Sequence, residues 1–398
     1  MRVFVTAGVV DQKIIHAAAS SAAGLRAAVC LFDDHGKAMW QDCEQRLVAT
    51  PYQTTSFAFP WLSSQSARAR EKVRLITVHD VQGRIILLLP IILRKLGIWQ
   101  VAQPIAGSHA NFMAPLFDAQ ACTSLGAAQI SAALDDGLFK AGADLAILPH
   151  VPAAWCGRAN PLGGLTDRVS VNLARQAMLS TDVSATLHSL RSKDSLRKIA
   201  GKRRKLAAQG NLQIGRAANR DEKLDLLSAY RTLKDSWSAQ RRINNEFGDA
   251  AVDSFYRILA SDPHFVLWYI KVDDHVIGVS AGFQRAHHFS MMIISSEQDL
   301  FAAYSPGDIL VDFIMRDLCA AGFSSVDFGT GDAEYKRRWL PAPVELRDVI
   351  HPLTFSGQIA GAGLAAAHTV KAFIKARPQL TSLAHRLAFA TSRLTAWR

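Results

Sequence analysis

Residues 305–322, "SPGDILVDFIMRDLCAAG", carry a helix whose two ends are both specified in the chain. Ser305 stands at the N-cap and Pro306 at the first helical position. Asp308 lies in the first turn and Gly322 just past the end, the positions those residues favour. Three runs of strand character precede it, at 264–272, 275–285 and 287–295, with Asp273 and Asp274 as a tight hairpin turn between the first two. "FSSVDF" (323–328) is a strand after it. Helices are expected over 184–208, 221–239 and 248–260. The order is therefore helices, three antiparallel strands, a helix and a further strand, an α/β (α+β) block spanning 183–350.

The preceding 28–178 has a similar plan. A helical segment lies around Trp40–Leu47, followed by an extended "PYQTTSFAFPWL" (51–62). "KVRLITVHD" (72–80) and "IILLLPIIL" (85–93) flank the turn "VQGR" as a hairpin, the second run reading as buried strands at a bend. A helix over 124–142 leads to a strand over 143–151, and the loop 155–168 follows. Four parts result: an extension (1–27), a first lobe (28–178), a second lobe (183–350) and a basic helical tail (351–398). A chain of 398 residues, 49% of them hydrophobic, is long enough for two such domains.

The five cysteines are widely spaced with no Cys-x-x-Cys pair, which fits a reducing cytoplasm and argues against a zinc ribbon. Asp11 and Lys13 interrupt the N-terminal apolar stretch, unlike a secretory leader, and the nine-residue run at 85–93 is too short to span a bilayer. The formal charge of +11 is concentrated. Residues 191–205 hold eight Lys/Arg and one Asp, and 351–398 hold six Lys/Arg and no acid. Such an excess suits anionic partners. In the tail, Pro378 divides two helical pieces, and Leu380, Leu383 and Leu387 recur at helical spacing with Arg386 and Arg393 among them. It reads as docking on the protein, as a loose tail, or as lying on an anionic membrane.

Several motif matches fail on context. "GVSAG" (278–282) sits inside a strand, so Ser280 is a strand residue and not a nucleophile elbow. Asp327-Phe328-Gly329 lacks the other kinase elements. "GTGDAE" (329–334) lacks the third glycine and the strand–helix setting of a dinucleotide fold. His287 and His288 are adjacent in a strand and point to opposite faces, so they read as partly exposed strand residues and no metal site is expected. The start of the 305–322 helix is different. Its free amides and positive dipole end suit a pyrophosphate, and Gly307 lets a ligand approach the backbone.

Read together, "AAYSPGDILVDFIMRDLCAAGFSSVDFGTGDAEYKRRW" resembles the GNAT-type acetyltransferase domain of the CelD family, also called BioF2-like, which is linked to cellulose and exopolysaccharide biosynthesis. The elements that carry the likeness are Ser305-Pro306-Gly307, Asp327-Phe328-Gly329, Gly331 and Tyr335-Lys336. A weaker likeness runs back through the basic helix and Gly210 into "PYQTTSFAFPW". The fold plan is similar to that of the Fem aminoacyl-transferring enzymes, which carry two GNAT-like lobes. The resemblance thus implies an acyl-CoA N-acyltransferase fold in two tandem lobes, with mixed, largely antiparallel sheets.

It also implies transfer of an acyl group from a CoA thioester to an amine or hydroxyl, with acetyl-CoA or another acyl-CoA as co-substrate and no metal. The thioester would lie in a splay near 290–295, with Ser305, Pro306, Gly307 and Asp308 holding the phosphates. Direct transfer needs a base and a proton source. Glu297, His288 and Asp327 are candidate bases, Tyr304 and Tyr335 candidate acids, and Lys336 and Arg337 candidate substrate-binding cations. "LFAAYSPGD" replaces the usual Gln/Arg-x-x-Gly-x-Gly/Ala, so acyl-CoA, an acyl carrier protein and, behind them, aminoacyl-tRNA stand as donors. The acceptor is a small molecule, a sugar or a lipid-linked group. The expected setting is cytoplasmic, with peripheral contact at the inner membrane face where the tail lies on the membrane rather than docking on the protein. A degenerate GNAT scaffold that partners a polysaccharide synthase is the non-enzymatic alternative.

Overall fold

The computed structural model describes residues 24–241, 246–331 and 333–375. Most of the extension 1–27 and the tail from 376, including Pro378, Leu380, Leu383, Arg386, Leu387 and Arg393, lie outside the described residues. The chain divides into two compact units, one drawn from Met1–Asn172 and Glu345–Ala372, the other from Leu173–Val344.

Each unit is built on a seven-stranded sheet, and the two sheets share one plan. In the second unit Leu212–Arg216, Phe265–Val272, His275–Arg285 and His288–Ser296 pair antiparallel in that order. Ser325–Thr330 then lies parallel to the fourth strand, and Ala174–Met178 pairs antiparallel beyond it, with Pro343–Val344 at the edge. In the first unit Arg26–Leu31, Val73–His79, Ile85–Leu96 and Trp99–Gln103 are the antiparallel four. Leu145–Pro152 is the parallel fifth and Leu346–Pro352 the antiparallel sixth, while Leu116–Phe117 pairs with the third. A helix joins the parallel strands in both cases, Ala127–Lys140 in one unit and Pro306–Ala320 in the other.

The boundaries differ from the expected 28–178 and 183–350. Ala174–Met178 pairs within the second sheet, and Leu346–Pro352 within the first. Sheet membership of a short strand is decided by where its backbone groups find partners, which its own side chains do not announce. Three further expectations change. The helix expected over 184–208 is two helices, Val183–Leu190 and Lys193–Ala207, because Ser192 caps the second by accepting from Ser195 N–H. "PYQTTSFAFPWL" is not extended, since Thr54 accepts from Phe57 N–H and starts the helix Thr55–Ser64. Ile85–Leu96 is one continuous strand and not two, with a register shift against the Val73–His79 strand near Ile86. Pro90 is opposite Leu75 on one side, and on the other it falls in the gap between the pairings to Leu116–Phe117 and to Trp99–Gln103.

In the second unit alternate residues of Phe265–Val272 serve opposite faces. Val266, Trp268, Ile270 and Val272 pack into the core that includes Leu310, Ile314 and Leu318 of the helix Pro306–Ala320. Trp268 Nε1 donates to Asp317 at 2.7 Å, and Arg216 pairs with the same carboxylate at 2.9 Å, fastening that helix to the sheet. On the other face Phe265 meets Tyr256 of the helix Ala250–Leu259. The helix Pro306–Ala320 ends as its sequence specifies: Gly322 is left-handed, and Phe323 N–H reaches Leu318 O at 3.0 Å in a Schellman-type closure. The Asp273–Asp274 turn likewise closes the hairpin at Val272 and His275. Ser280, fully buried within its strand, donates to Ile293 O.

A β-bulge sits in the wall of the site. Gly282 pairs with Met291 and Ala281 with Ile293, which leaves Met292 without a ladder partner. Gly282 holds this geometry, because a Cβ there would lie 2.3 Å from Ser290 O and 2.3 Å from the Phe289 ring. Gly282→Ala is expected to lower stability by about 2–3 kcal/mol through overpacking against backbone. A urea midpoint within a few tenths of a molar of the parent would show that the strands accommodate the methyl.

Candidate functional site

The parallel contact in the second sheet is only three residues long: His288, Phe289 and Ser290 opposite Ser325, Val326 and Asp327. Beyond it the two strands part, and a cavity of about 910 Å³ opens against the end of His288–Ser296 and against Thr330. Ile294 packs into the core beneath the helix Pro306–Ala320, and Ser296 lies against Gly307 of that helix. By alternation Ile293 and Ser295 face the other way, towards the helix Arg220–Arg241.

One wall is the start of the helix Pro306–Ala320. Ser305 has φ 52° and ψ 62°, a left-handed conformation that costs a non-glycine residue about 1 kcal/mol. Its side chain makes no capping bond, contrary to the N-cap role expected of it; its hydroxyl instead accepts from Lys202 Nζ at 2.6 Å. Asp308 and Ile309 N–H bond back to Ser305 O and Pro306 has no N–H, so Gly307 carries the first-turn amide that those bonds leave over. With Lys202 alongside the positive dipole end, this wall suits a phosphate group. The Asp308 carboxylate accepts from Trp339 Nε1 at 3.1 Å and lies 3.4 Å from Arg338, which anchors the segment 333–338 to the helix start.

That segment forms a second wall. Tyr335 and Lys336 both line the cavity. The Tyr335 ring stacks on Phe328 at 6.0 Å, and enclosure of its phenol pushes the pKa up. Lys336 is buried and donates to Thr330 O at 2.7 Å. Glu297 lines the cavity from the end of its strand, with Oε1 accepting from Leu300 N–H at 2.7 Å and Oε2 lying 3.4 Å from His275 Nε2.

Four of the expected site residues lie outside this lining. His288 and Asp327 form a buried pair at the vertex where the strands part: Nε2 lies 2.8 Å from Asp327 Oδ2, and Nδ1 lies 2.8 Å from Ser325 Oγ. Asp327 Oδ1 also accepts from Gly329 N–H at 2.7 Å. His288 is therefore buried and not the partly exposed strand residue expected, because its ring bridges the two parallel strands. Tyr304 packs against the core beside Phe301. Arg337 is exposed.

Sequence reading missed Lys202 as an individual residue, and it missed one whole wall. Tyr230, Lys234, Trp237 and Arg241, at helical spacings of four, three and four along Arg220–Arg241, all line the cavity. Two cations spaced around one aromatic residue on a single helix face were the available signal. Among the described residues no group of three or more His, Cys, Asp or Glu side chains is placed to hold a metal.

Residues 193–337 match the family model described as the acetyltransferase (GNAT) domain, so this stretch is a GNAT-type acyltransferase domain. It begins at the basic helix and includes every lining residue named above except Arg338. Among solved structures, FemX aligns with 81% of this chain and 97% of its own, at 10% identity and a TM-score of 0.55. L-PGS from Bacillus licheniformis aligns with 82% and 94% at 12% identity and a TM-score of 0.48. A tandem GNAT protein from the clavulanic acid biosynthesis pathway aligns with 83% and 99% at 10% identity and a TM-score of 0.40. No curated protein matches. The FemX alignment shows a shared fold, and the two sheets of one plan are two GNAT-like lobes.

Two outcomes are expected. Asp327→Ala leaves a buried imidazole and an amide without their acceptor and should cost about 3 kcal/mol; an unchanged denaturation midpoint would remove the vertex pair from the account. Tyr335 has a folded pKa above its unfolded value. Its contribution to stability is therefore present below about pH 10 and is lost as pH rises above that value. Absorbance titration should show a tyrosine component that ionises above pH 10, and Tyr335→Phe should reduce it.

Proposed function

We propose that the protein transfers an acetyl or other acyl group from a CoA thioester to an amine or hydroxyl acceptor. The observation that carries this reading is the parting of His288–Ser296 from Ser325–Thr330 beside a helix start that holds Lys202. A thioester would lie lengthwise in such an opening, with its diphosphate at Ser305–Asp308 and its carbonyl near the Met292 bulge, where a backbone amide would polarise it. The acceptor nitrogen or oxygen then bonds to the carbonyl carbon as the carbon–sulfur bond breaks. Glu297 takes the proton that the acceptor loses, and the neutral phenol of Tyr335 gives one to the departing thiolate. In this reading Lys336 braces the turn at Thr330, while His288 and Asp327 hold the vertex. The CelD resemblance supports a role in exopolysaccharide or envelope assembly, with a sugar or lipid-linked acceptor. The acid-free stretch from 351 supports a cytoplasmic protein that touches the inner membrane face.

A second reading takes an aminoacyl-tRNA or a carrier protein as donor. It is favoured by Arg197, Lys198, Arg203, Arg204 and Lys205, exposed on the same helix that sends Lys202 into the cavity. Such binding would weaken steeply with salt.

Calorimetric titration with acetyl-CoA separates the two. Binding is expected, and Lys202→Ala should weaken it about tenfold or more, as loss of a charge-assisted contact does. No binding of any acyl-CoA at millimolar concentration, with salt-sensitive binding of tRNA, would move the assignment to the second reading.

A further inference from the structure

The helix Phe355–Lys375 of the first unit is apolar on both of its faces. Its inner face packs on the sheet through Ala360 and Leu364, in a cluster with Val101, Leu145 and Trp99. A helix docked this way ordinarily turns charged side chains to water. Here residues 354–370 contain no Asp, Glu, Lys or Arg at all. The outer face runs Phe355, Ile359, Ala362, Ala366 and Val370 at helical spacing, and Phe355 and Ile359 are each 62% exposed.

A second exposed apolar feature stands at the start of this helix. The hairpin between Ile85–Leu96 and Trp99–Gln103 turns on two residues, with Gly97 left-handed at the first. The second is Ile98, 83% exposed at a position that polar residues usually fill. Leu96 pairs with Trp99 and Arg94 with Val101, and cross-strand partners point to the same side of a sheet. Leu96 and Arg94 therefore lie on the side that the helix covers, and both are exposed, as is Lys95. Asp144 ties the two features together. Its carboxylate accepts from Gln100 N–H and from the Thr354 hydroxyl, each at 2.9 Å, so the hairpin tip and the helix start share one end of the sheet.

Charge decides what fits this surface. Arg94 and Lys95 flank the hairpin tip, and the six Lys/Arg of residues 351–398 all fall at 371 or beyond, with no acid among them. A second copy of the chain, or residues 376–398 folded back, would set cations against cations. A bilayer with anionic headgroups accommodates the apolar side chains and the cations alike.

We infer that Leu96 and Ile98 of the hairpin tip, with Phe355 and Ile359 of the helix, form a surface that lies on an anionic lipid bilayer. The inference rests on the membrane contact read above from the acid-free stretch, and it gives that contact a surface within the first unit, apart from the residues beyond 375. The four apolar side chains enter the boundary of the acyl chains, while Arg94 and Lys95 stay level with the headgroup phosphates.

The test is co-sedimentation of the full chain with vesicles of phosphatidylglycerol mixed with phosphatidylcholine, and with vesicles of phosphatidylcholine alone. Binding to the mixed vesicles is expected, about tenfold or more tighter than to phosphatidylcholine and weakening with salt. Phe355→Gln/Ile359→Gln and Leu96→Gln/Ile98→Gln should each weaken it about tenfold or more, with unchanged circular dichroism reporting that the variants fold. Arg94→Gln/Lys95→Gln should narrow the difference between the two vesicles. Binding to mixed vesicles that neither apolar pair alters would assign the contact to residues beyond 375; it overturns this surface and leaves the membrane reading standing. Equal binding to the two vesicles overturns the anionic partner. Binding to neither overturns surface and membrane reading together. A dimer in sedimentation velocity that Phe355→Gln/Ile359→Gln dissociates overturns the inference in favour of a second copy.

Discussion

The second unit depends on a three-residue parallel contact held by one buried pair. His288 bridges from its own strand to Ser325 and Asp327 on the next, and Asp327 in turn fixes Gly329 where the chain leaves the sheet. A parallel pair this short has little ladder of its own, so side-chain bonds across the vertex supply what the backbone does not. Because the vertex is fixed, the strands can part beyond it without the sheet coming apart. The cavity is the direct consequence.

The first unit shows the same strand order put to a different end. Its parallel contact pairs Val101 with Leu145 and Ala102 with Ala146, all apolar and buried. The helix Phe355–Lys375 lies over it through Ala360 and Leu364, which pack with Trp99, Ile147 and Ile350. Gly357 lets that helix approach closely, since a Cβ there would fall 1.9 Å from Asp144 O. One plan thus occurs twice, once covered by apolar packing and once opened onto charge. The difference lies in what covers the parallel contact, an apolar helix in one unit and an open cavity in the other.

Much of the second unit was legible because its signals are local. The helix after Ser305 carries both of its end signals, and the three long strands before it alternate or run apolar in the expected way. Ser305 to Asp308 and the pair Tyr335-Lys336, which line the cavity, were legible for the same reason, since each sits at a turn or helix end with its own chemistry. Short strands were not legible. Ala174–Met178 and Leu346–Pro352 contain few residues, and each is stabilised by a partner far away in sequence. Nor was the burial of His288, whose neighbours Ser325 and Asp327 lie 37 and 39 residues on.

By itself the sequence determined an α/β chain with a repeated plan, a helix start suited to phosphate, and cations enough to attract an anion. Those properties reside in short stretches, where residue type and spacing act directly on the backbone. Only the tertiary structure decided which of the chemical groups share a cavity. It placed Glu297, Tyr335 and Lys202 in the lining, drew His288 and Asp327 into the vertex, and added Lys234, Trp237 and Arg241 from a distant helix. The physical reason is that a cleft is the space between elements, and its lining is set by pairing and packing across many residues rather than by any one segment.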